Sequence, residues 1–361
     1  MTCSAVGRWL VFALASLTVA TSAATQTYTI TDLGTLKGDN ESSGFWINNS
    51  GEVVGCSDTE TVYGYPCPGL VSGQHAFLWT KSGGMQDLGT LSGGTVSAAQ
   101  GINDDGLVVG YSNKEGDIAT NFEAVRWSAT GVMSDLGTLS DGSSSSAFAI
   151  NASGEIAGDS FNGAGIVKVT RWMNDKISNL DGLPGAIFSA GLAINDDGEI
   201  AGESVYSYGP PFTSHAFRWT GSELVDLGTL EGGITSIANG MSNTGAVVGQ
   251  SDGTSTGGLW HAVKWNTSNN IEDLGVLAGG TYSVAFAINE SGVVVGYGNL
   301  SDNAAHAMVW TSSNGMQDLN DLIPAHSGWI LVNANSINSS GQITGYGSKK
   351  GHNHAFLLTP K

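Results

Sequence analysis

The sequence predicts an all-β protein, a seven-bladed β-propeller with four-stranded antiparallel blades. Three markers recur seven times in the same order, with a repeat length of about 47 residues, which is the range of propeller and solenoid units. Within each unit, apolar and polar residues alternate with the period of two that is typical of strands. Gly contributes 53 of the 361 residues and charged residues only 12%, a composition that favours short strands and turns over helices.

Each marker occurs once per unit. The first is Asp-Leu-Gly-Thr-Leu with its variants, at Asp32–Leu36, Asp87–Leu91, Asp135–Leu139, Asn179–Leu183, Asp226–Leu230, Asp273–Leu277 and Asp318–Leu322. The second is Ile-Asn, two residues, Gly and an apolar run, beginning at Ile47, Ile102, Ile150, Ile194, Met241, Ile288 and Ile337. The third is His-Ala-Phe-x-Trp with its relatives, at His75–Trp79, Glu123–Trp127, Lys168–Trp172, His215–Trp219, His261–Trp265, His306–Trp310 and His354–Leu358.

Four strands fit one unit, as the second unit illustrates. We expect strands over Ser97–Asn103, Leu107–Ser112, Glu123–Ser128 and Val132–Gly137. A tight turn over Asn103–Gly106 joins the first two, because Asn caps such turns and Gly accepts positive φ.

The first strand of each unit is expected to lie innermost. Three residues before the Ile position only Gly or Ala occurs, and five residues before it Ser occurs in six of the seven units. Small side chains suit strands whose backbones crowd around a central axis. A β-helix would also need regular small residues, but its rungs are shorter.

Closure of the ring follows from the two ends of the repeat array. The array starts with a fourth-strand motif at Tyr28–Gly34 and ends after a third-strand motif at His354–Thr359. The N-terminal strand is therefore expected to complete the last blade, which removes exposed sheet edges.

These units resemble the HAF family of bacterial extracellular repeat proteins, named for the motif seen here at His75–Phe77, His215–Phe217 and His354–Phe356. The resemblance covers residues 28–361. It implies secretion and repetition but no assigned activity, so it supplies no catalytic residues.

Residues 1–24 are predicted to be a signal peptide, and residues 25–361 a single propeller domain. Arg8 precedes the apolar run Trp9–Ala20, and the small residues Thr21–Ala24 follow as a cleavage site. The alternative is a transmembrane anchor, but the run is shorter than the roughly 20 residues that a span needs. We therefore expect a secreted monomer, extracellular or periplasmic, with no membrane span in the mature chain.

Secretion also bears on the two remaining cysteines. An oxidising compartment favours a disulfide between Cys56 and Cys67, and the alternative is two reduced buried thiols.

The charge balance excludes some partners. The net charge is −19 with only 13 Lys plus Arg, so there is no basic footprint for nucleic acid or anionic lipid. No cofactor is expected. No metal is expected either, because the third-strand His residues stand one per blade and the Asn103 and Asn195 turns lack the further carboxylates of a calcium loop. The structural interpretation is a buried His–Asp hydrogen bond, as between His75 and Asp87, with the periodic Trp packing between blades.

Recognition is expected on one face of the ring. Loops between the second and third strands, and links from each fourth strand to the next blade, leave on the same face, where a rigid scaffold usually carries its binding residues. Aromatic and imidazole side chains there suit the apolar faces and hydroxyls of sugar rings. The candidate ligand-binding residues are Tyr63, Tyr65, Tyr206, Tyr208, Phe212, Trp260, His326 and Trp329. The alternative is that these side chains pack down their own loops.

Three functions stay open at this point. The first is a module that binds an extracellular carbohydrate, and the second is a glycan-cleaving enzyme, either a hydrolase or a lyase with His326 as its base. The third is a scaffold for a surface protein. A hydrolase would need two carboxylates across the mouth, roughly 5–10 Å apart. The loop carboxylates are Asp58, Glu60, Glu115, Asp117, Glu203 and Asp302. The sequence contains no Gly-x-Ser-x-Gly elbow, His-Glu-x-x-His motif or phosphate-binding loop.

Overall fold

The repeats form seven four-stranded antiparallel sheets arranged as the blades of a β-propeller, as the computed structural model shows. It describes residues 26–58, 61–62, 65–67, 73–115 and 121–361. The predicted signal peptide at residues 1–24 lies outside the described residues. Within the described ranges, no helix is long and apolar enough to cross a membrane.

The strands follow one another blade by blade. The N-terminal strand β1 spans Tyr28–Gly34. Blades 1 to 3 contain, in chain order, β2 (Glu41–Ile47), β3 (Val53–Asp58), the small hairpin β4 (Thr61–Val62) and β5 (Tyr65–Pro66), β6 (His75–Thr80), β7 (Gly84–Gly89); β8 (Ser97–Ile102), β9 (Val108–Ser112), β10 (Glu123–Trp127), β11 (Met133–Asp135); β12 (Ser145–Ile150), β13 (Ile156–Phe161), β14 (Val167–Met173), β15 (Lys176–Asp181). Blades 4 to 7 contain β16 (Phe188–Ile194), β17 (Ile200–Ser207), β18 (Thr213–Trp219), β19 (Leu224–Asp226); β20 (Ser236–Met241), β21 (Val247–Ser251), β22 (His261–Trp265), β23 (Ile271–Asp273); β24 (Ser283–Ile288), β25 (Val294–Asn299), β26 (Ala305–Thr311), β27 (Gly315–Asp318); the 3₁₀ turn Leu319–Leu322; and β28 (Trp329–Ile337), β29 (Ile343–Lys349), β30 (His352–Pro360).

The ring closes as the sequence predicts. Strand β1 pairs antiparallel with β30, from Tyr28 opposite Pro360 to Gly34 opposite Ala355, and so becomes the outermost strand of blade 7. Leu33 on β1 is buried against Ala355 of blade 7 and Phe77 of blade 1. The terminal strand therefore joins the first and last blades through core packing as well as through backbone hydrogen bonds.

The second blade matches the predicted strands to within two residues at each end. Its first turn has the expected chemistry. The Asn103 side-chain carbonyl accepts hydrogen bonds from the backbone N–H groups of Asp105 and Leu107, at 3.2 and 3.0 Å. Gly106 has a φ of 75°, which a residue with a side chain rarely adopts.

The first strand of every blade lies at the axis, and its small residues have two separate causes. A Cβ atom on Gly44 would lie 2.3 Å from the Thr344 hydroxyl of blade 7, so size is the constraint at that position. At the Ser position the constraint is instead hydrogen bonding, because the hydroxyl group joins two backbone groups of the preceding blade. Ser97 accepts from the Ala76 backbone N–H at 2.9 Å and donates to the Gly89 carbonyl at 2.7 Å, both in blade 1. The same pair of bonds is made by Ser42, Ser145, Ser236 and Ser283.

The periodic Trp residues pack between blades, as predicted. The indole N–H of Trp127 in blade 2 donates to the Leu88 carbonyl of blade 1 at 2.9 Å. Trp265 in blade 5 makes the same bond to Leu227 of blade 4, also at 2.9 Å. Each of these Trp side chains is fully buried and ties its blade to the preceding one.

The His–Asp pairs form, but the prediction that they are buried is wrong. The Nδ1 atom of His75 lies 2.9 Å from the Asp87 carboxylate, and the two side chains are 31% and 49% exposed. The remaining four pairs are His215–Asp226, His261–Asp273, His306–Asp318 and His354–Asp32. These pairs join the two outer strands of a blade, where solvent reaches them.

Candidate functional site

Exposed apolar side chains are concentrated on one face of the propeller. We call it the loop face, because the loops between second and third strands and the links between blades leave there. Of the eight large hydrophobic side chains that are exposed among the described residues, seven lie on this face, and six of those belong to blades 3 to 5. The seven are Ile166, Ile187, Tyr208, Ile234, Leu259, Trp260 and Ile330, and the eighth, Val132, lies on the opposite face.

The predicted aromatic residues of blades 4 and 5 differ in their accessibility. Tyr208 is 65% and Trp260 39% exposed. Tyr206 is half-buried, with its ring 5.7 Å from the His215 ring in an edge-on contact. Phe212 is also half-buried. Tyr208 and Trp260 therefore present most of the accessible aromatic surface of these two blades.

The two predicted residues of the last link lie elsewhere. His326 is exposed and Trp329 only 8% exposed, and both line a groove at the outer edge of blade 7. The Trp329 ring packs edge-on against Phe356, with centroids 6.2 Å apart, and the Lys349 Nζ lies 5.1 Å from its centre. Trp329 thus faces protein on most of its surface.

The first loop contains the predicted disulfide. Cys56 and Cys67 are bonded, with their Cα atoms 6.0 Å apart. The Cys67 backbone N–H donates to the Asp58 carboxylate at 3.0 Å, so this candidate carboxylate is buried and holds the loop. Tyr63 lies outside the described residues, and of Tyr65 only the backbone, in β5, is described.

A channel runs along the axis, and its lining was not predicted. In every blade the innermost strand contains a β-bulge two residues before the Ile position, which leaves one residue without a partner on the second strand. Bulges re-aim a side chain, and here all seven bulge residues line one cavity of about 200 Å³. We call these seven residues the collar: Phe45, Gln100, Phe148, Leu192, Asn239, Phe286 and Asn335.

A glycine on the second strand of each blade makes the bulge possible. A Cβ atom on Gly158 would lie 2.0 Å from the Ser146 carbonyl oxygen, which no side chain tolerates. The corresponding distance is 1.9 Å at Gly55, Gly110, Gly202, Gly249, Gly296 and Gly345. The glycine that recurs in the second strand of all seven blades marks the bulge in the sequence, but it does not identify which side chain turns towards the axis.

The collar combines apolar rings with amides. All seven side chains are half-buried. The amide Nδ2 of Asn239 donates to the Ala285 carbonyl at 2.9 Å, and that of Asn335 to the Gly44 carbonyl at 2.8 Å. These bonds to the next blade fix both amide planes. Trp46, which stands where other blades have a small residue, lines the same cavity.

The residue after the second-strand glycine contacts the collar in blade 6. In blade 6 this residue is Tyr297, whose ring stacks on the collar residue Phe286 at 5.7 Å. In blades 3 and 4 the same position holds Asp159 and Glu203. Glu203 was predicted as a loop carboxylate but lies within strand β17, and Asp159, within strand β13, was not predicted.

The two carboxyl groups interact. Burial raises the pKa of Glu203 to about 7. Burial, together with the nearby Glu203 charge, raises the pKa of Asp159 to about 7. Burial, followed by the negative charges of Glu203 and Asp159, raises the pKa of the Tyr208 phenol, which places this exposed aromatic residue within electrostatic reach of the pair. Near neutral pH the pair therefore holds protons that ordinary carboxyl groups have lost.

The other candidate carboxylates do not join this pair. Glu115 and Asp302 are exposed, and Asp302 caps its own turn by accepting from the Ala304 N–H at 3.0 Å. Glu60 and Asp117 lie outside the described residues.

At the opposite mouth of the channel, Asn side chains form a ring of hydrogen bonds between neighbouring blades. In five blades the Asn after the Ile position donates its amide N–H to the backbone carbonyl of the next blade, at 3.0–3.2 Å. The donors are Asn48, Asn103, Asn151, Asn289 and Asn338. The Asp104 carboxylate is occupied by two bonds from Asn49, each 2.8 Å long. No described group of three or more His, Cys, Asp or Glu side chains is arranged to hold a metal ion.

Comparison with known proteins supports the fold. No family model and no curated protein matches the chain. The β-propeller domain of the Trilobed protease from Pyrococcus furiosus matches with a TM-score of 0.55 at 8% identity, over 90% of this chain and 97% of that one. A puromycin hydrolase matches with a TM-score of 0.55 at 12% identity, over 86% of this chain. The extracellular domain of a one-component system from B. thetaiotaomicron matches with a TM-score of 0.52 at 9% identity, over 91% of this chain.

The seven sheets define the class of protein, a seven-bladed β-propeller, and these likenesses show the fold alone. The chain spans half of the puromycin hydrolase chain and 39% of the B. thetaiotaomicron chain.

Proposed function

We propose that this protein is a secreted binding module that takes an extracellular carbohydrate on the loop face of blades 3 to 5. The observation that carries the proposal is the one-sided exposure of large apolar side chains, with Tyr208 and Trp260 among them. An exposed aromatic ring stacks on the apolar face of a sugar, and its polar edge stays available for hydrogen bonds.

The charge of the site supports a neutral glycan. Asp159 and Glu203, with pKa values of about 7, both donate and accept hydrogen bonds while protonated, which matches sugar hydroxyls. The whole chain has a net charge of −19, and such a surface repels acidic polysaccharides.

The proposal is tested by Tyr208→Ala and Trp260→Ala in titrations against a panel of neutral oligosaccharides. Loss of one stacking contact, about 0.5–1.5 kcal/mol, should weaken binding roughly 2- to 12-fold per substitution. Val132→Ala, which removes an exposed apolar side chain from the opposite face, is the matched control and should bind like the wild type. Unchanged affinity in both aromatic variants would overturn the proposal. Failure of the wild type to bind any oligosaccharide, while it captures a surface protein, would favour the scaffold function instead.

A second candidate function is cleavage of the bound glycan. It is favoured by one observation, the interacting pair of half-buried carboxyl groups in adjacent blades. Glycosidases use two such groups, one protonated as the acid and one ionised as nucleophile or base. Incubation of the protein with polysaccharides should then shorten the chains, and Asp159→Asn or Glu203→Gln should each abolish the shortening. Intact polymers, or turnover that survives both substitutions, would refute this candidate.

Secretion and family membership belong to the same proposal. The Cys56–Cys67 disulfide supports an oxidising compartment. We propose membership of the HAF repeat family on the three markers described above, and a monomeric state because the closed ring leaves its blade edges short.

A further inference from the structure

Most collar residues stand outside the blade cores, although Phe45 also packs against the core cluster that contains Cys56 and Ala98. Each collar residue is the extra residue of a bulge, and its direction into the channel depends on a glycine in the neighbouring strand. A ring with no task at this place would be expected to contain small polar residues in contact with channel water. Instead four of the seven are large and apolar, namely Phe45, Phe148, Leu192 and Phe286. Half-buried apolar surface of this kind favours an occupant other than water.

The arrangement around the axis suits a sugar ring. Phe148 and Leu192 stand side by side on blades 3 and 4, and Phe286 and Phe45 stand on blades 6 and 1, across the channel. Amides separate these two groups in blades 2 and 5, as Gln100 and Asn239, and a third amide, Asn335 of blade 7, stands between Phe286 and Phe45. A sugar has apolar faces and a polar rim, so the apolar walls would contact its faces and the amides its hydroxyl groups.

Two of these amides are already oriented. The Nδ2 atoms of Asn239 and Asn335 donate to backbone carbonyls of the next blade. The side-chain carbonyl oxygens of these two Asn residues can therefore accept hydrogen bonds from a ligand in the channel. The side chains would not have to change conformation to do so. Preorganised polar groups reduce the cost of binding.

The size of the cavity limits its occupant. At about 200 Å³ it is smaller than the pockets of roughly 300–1,000 Å³ that hold drug-sized ligands. Trp46 lines both this cavity and the one at the opposite mouth, so a bulky side chain lies between them where other blades have Gly, Ala or Ser. The collar therefore has room for one ring and little room for a chain passing through.

We propose that the collar is a subsite for the terminal sugar of a glycan, so that the protein recognises chain ends. The inference rests on the proposed glycan-binding function of the loop face. The innermost strands begin on the loop face, and the cavity at the opposite mouth is lined by the residues that follow the collar, so the collar opens towards the loop face. The rest of the glycan would lie on the loop face and its last residue in the collar.

The test uses single sugars and a variant that fills the channel. The mature protein is titrated with a panel of common neutral monosaccharides, followed by saturation-transfer NMR and by indole fluorescence. We expect at least one monosaccharide to bind, and Leu192→Trp to weaken that binding by at least about tenfold by occupying the space. Phe148→Ala, which removes a wall without filling the channel, is the second variant should Leu192→Trp fail to fold. Val132→Ala, which changes an exposed side chain on the opposite face, is the control and should leave monosaccharide binding unchanged.

The outcomes separate this inference from the function on which it rests. Absence of monosaccharide binding, or equal binding by the wild type and both collar variants, overturns the collar subsite. If oligosaccharides still bind and depend on Tyr208 and Trp260, the loop-face function stands without it. If the collar variants lose monosaccharide binding while Tyr208→Ala and Trp260→Ala leave oligosaccharide binding unchanged, the collar subsite is supported and the loop-face site is refuted.

Discussion

Replacing Asp159 by Asn and Glu203 by Gln is expected to flatten the pH dependence of the free energy of unfolding. In the folded protein both groups have pKa values of about 7, raised from ordinary values of 3.8 and 4.5, with burial as the largest cause. Between about pH 4 and 7 the folded state therefore binds more protons than the unfolded chain, so the free energy of unfolding falls as pH rises through this range. The contribution of the pair is most favourable below the unfolded pKa values and is lost as pH approaches the folded ones.

The magnitude follows from the size of the pKa shifts. A rise from 3.8 to about 7 corresponds to about 4 kcal/mol for Asp159 alone, and the rise from 4.5 to about 7 to about 3 kcal/mol for Glu203. The two do not add, because part of the Asp159 shift comes from the Glu203 charge. Both side chains are also partly exposed, so solvent screening reduces the contribution further. We therefore expect the double variant to gain roughly 2–5 kcal/mol over the wild type on going from pH 4 to pH 8.

The assay is urea unfolding of both proteins at intervals from pH 4 to pH 8. Only the difference between them is interpreted, since other groups titrate too; the Asp32 carboxyl, for example, has a lowered pKa beside Lys349 and His354. An amide is compatible with this position, because blade 5 has Gln250 there. Glu223→Gln, at an exposed carboxylate, is the control and should follow the wild type. Parallel curves for the double variant and the wild type would refute the assignment of a proton-holding pair.

Two further predictions concern stability. The double substitution Cys56→Ser with Cys67→Ser opens a loop whose ends are 11 residues apart, and it should lower the free energy of unfolding, measured in urea, by about 3 kcal/mol. Reductant should lower the stability of the wild type by the same amount and leave the double variant unchanged. A wild type that is insensitive to reductant would contradict this prediction. Leu33→Ala removes a buried side chain between blades 7 and 1 and should lower the free energy of unfolding by about 2–5 kcal/mol. Thr31→Ala, at an exposed position on the same strand, is the control and should lower it much less. Equal losses in the two variants would show that closure does not depend on core packing.

The architecture was predictable because its signals are local. The turn at Asn103–Gly106 needs only neighbouring residues, and the alternation of Glu123–Trp127 needs only a period of two. Seven repetitions of such signals determine the number of blades. The two ends of the repeat array also determine the closure. The N-terminal strand has the fourth-strand motif but no blade of its own, and the last blade lacks a fourth strand, so pairing the two completes the ring.

The candidate site depends on relations that no local pattern contains. Asp159 and Glu203 sit on consecutive blades, far apart in sequence, and interact only because the ring brings equivalent strand positions side by side. Trp329 occurs in a link with the composition of a surface loop, yet β28 begins at that residue and buries its ring against Phe356.

By itself the sequence determined the fold class, the blade count and the closure, since each depends on patterns of spacing within or between the repeats. It also determined the disulfide partners, because only Cys56 and Cys67 remain after the predicted signal peptide. Only the tertiary structure decided which residues line the axis. A β-bulge turns one side chain per blade out of the alternation, and the period-two pattern then assigns that residue to the wrong face. For this reason the collar, including Phe148 and Asn335, was found from the geometry of the strands and not from their sequence.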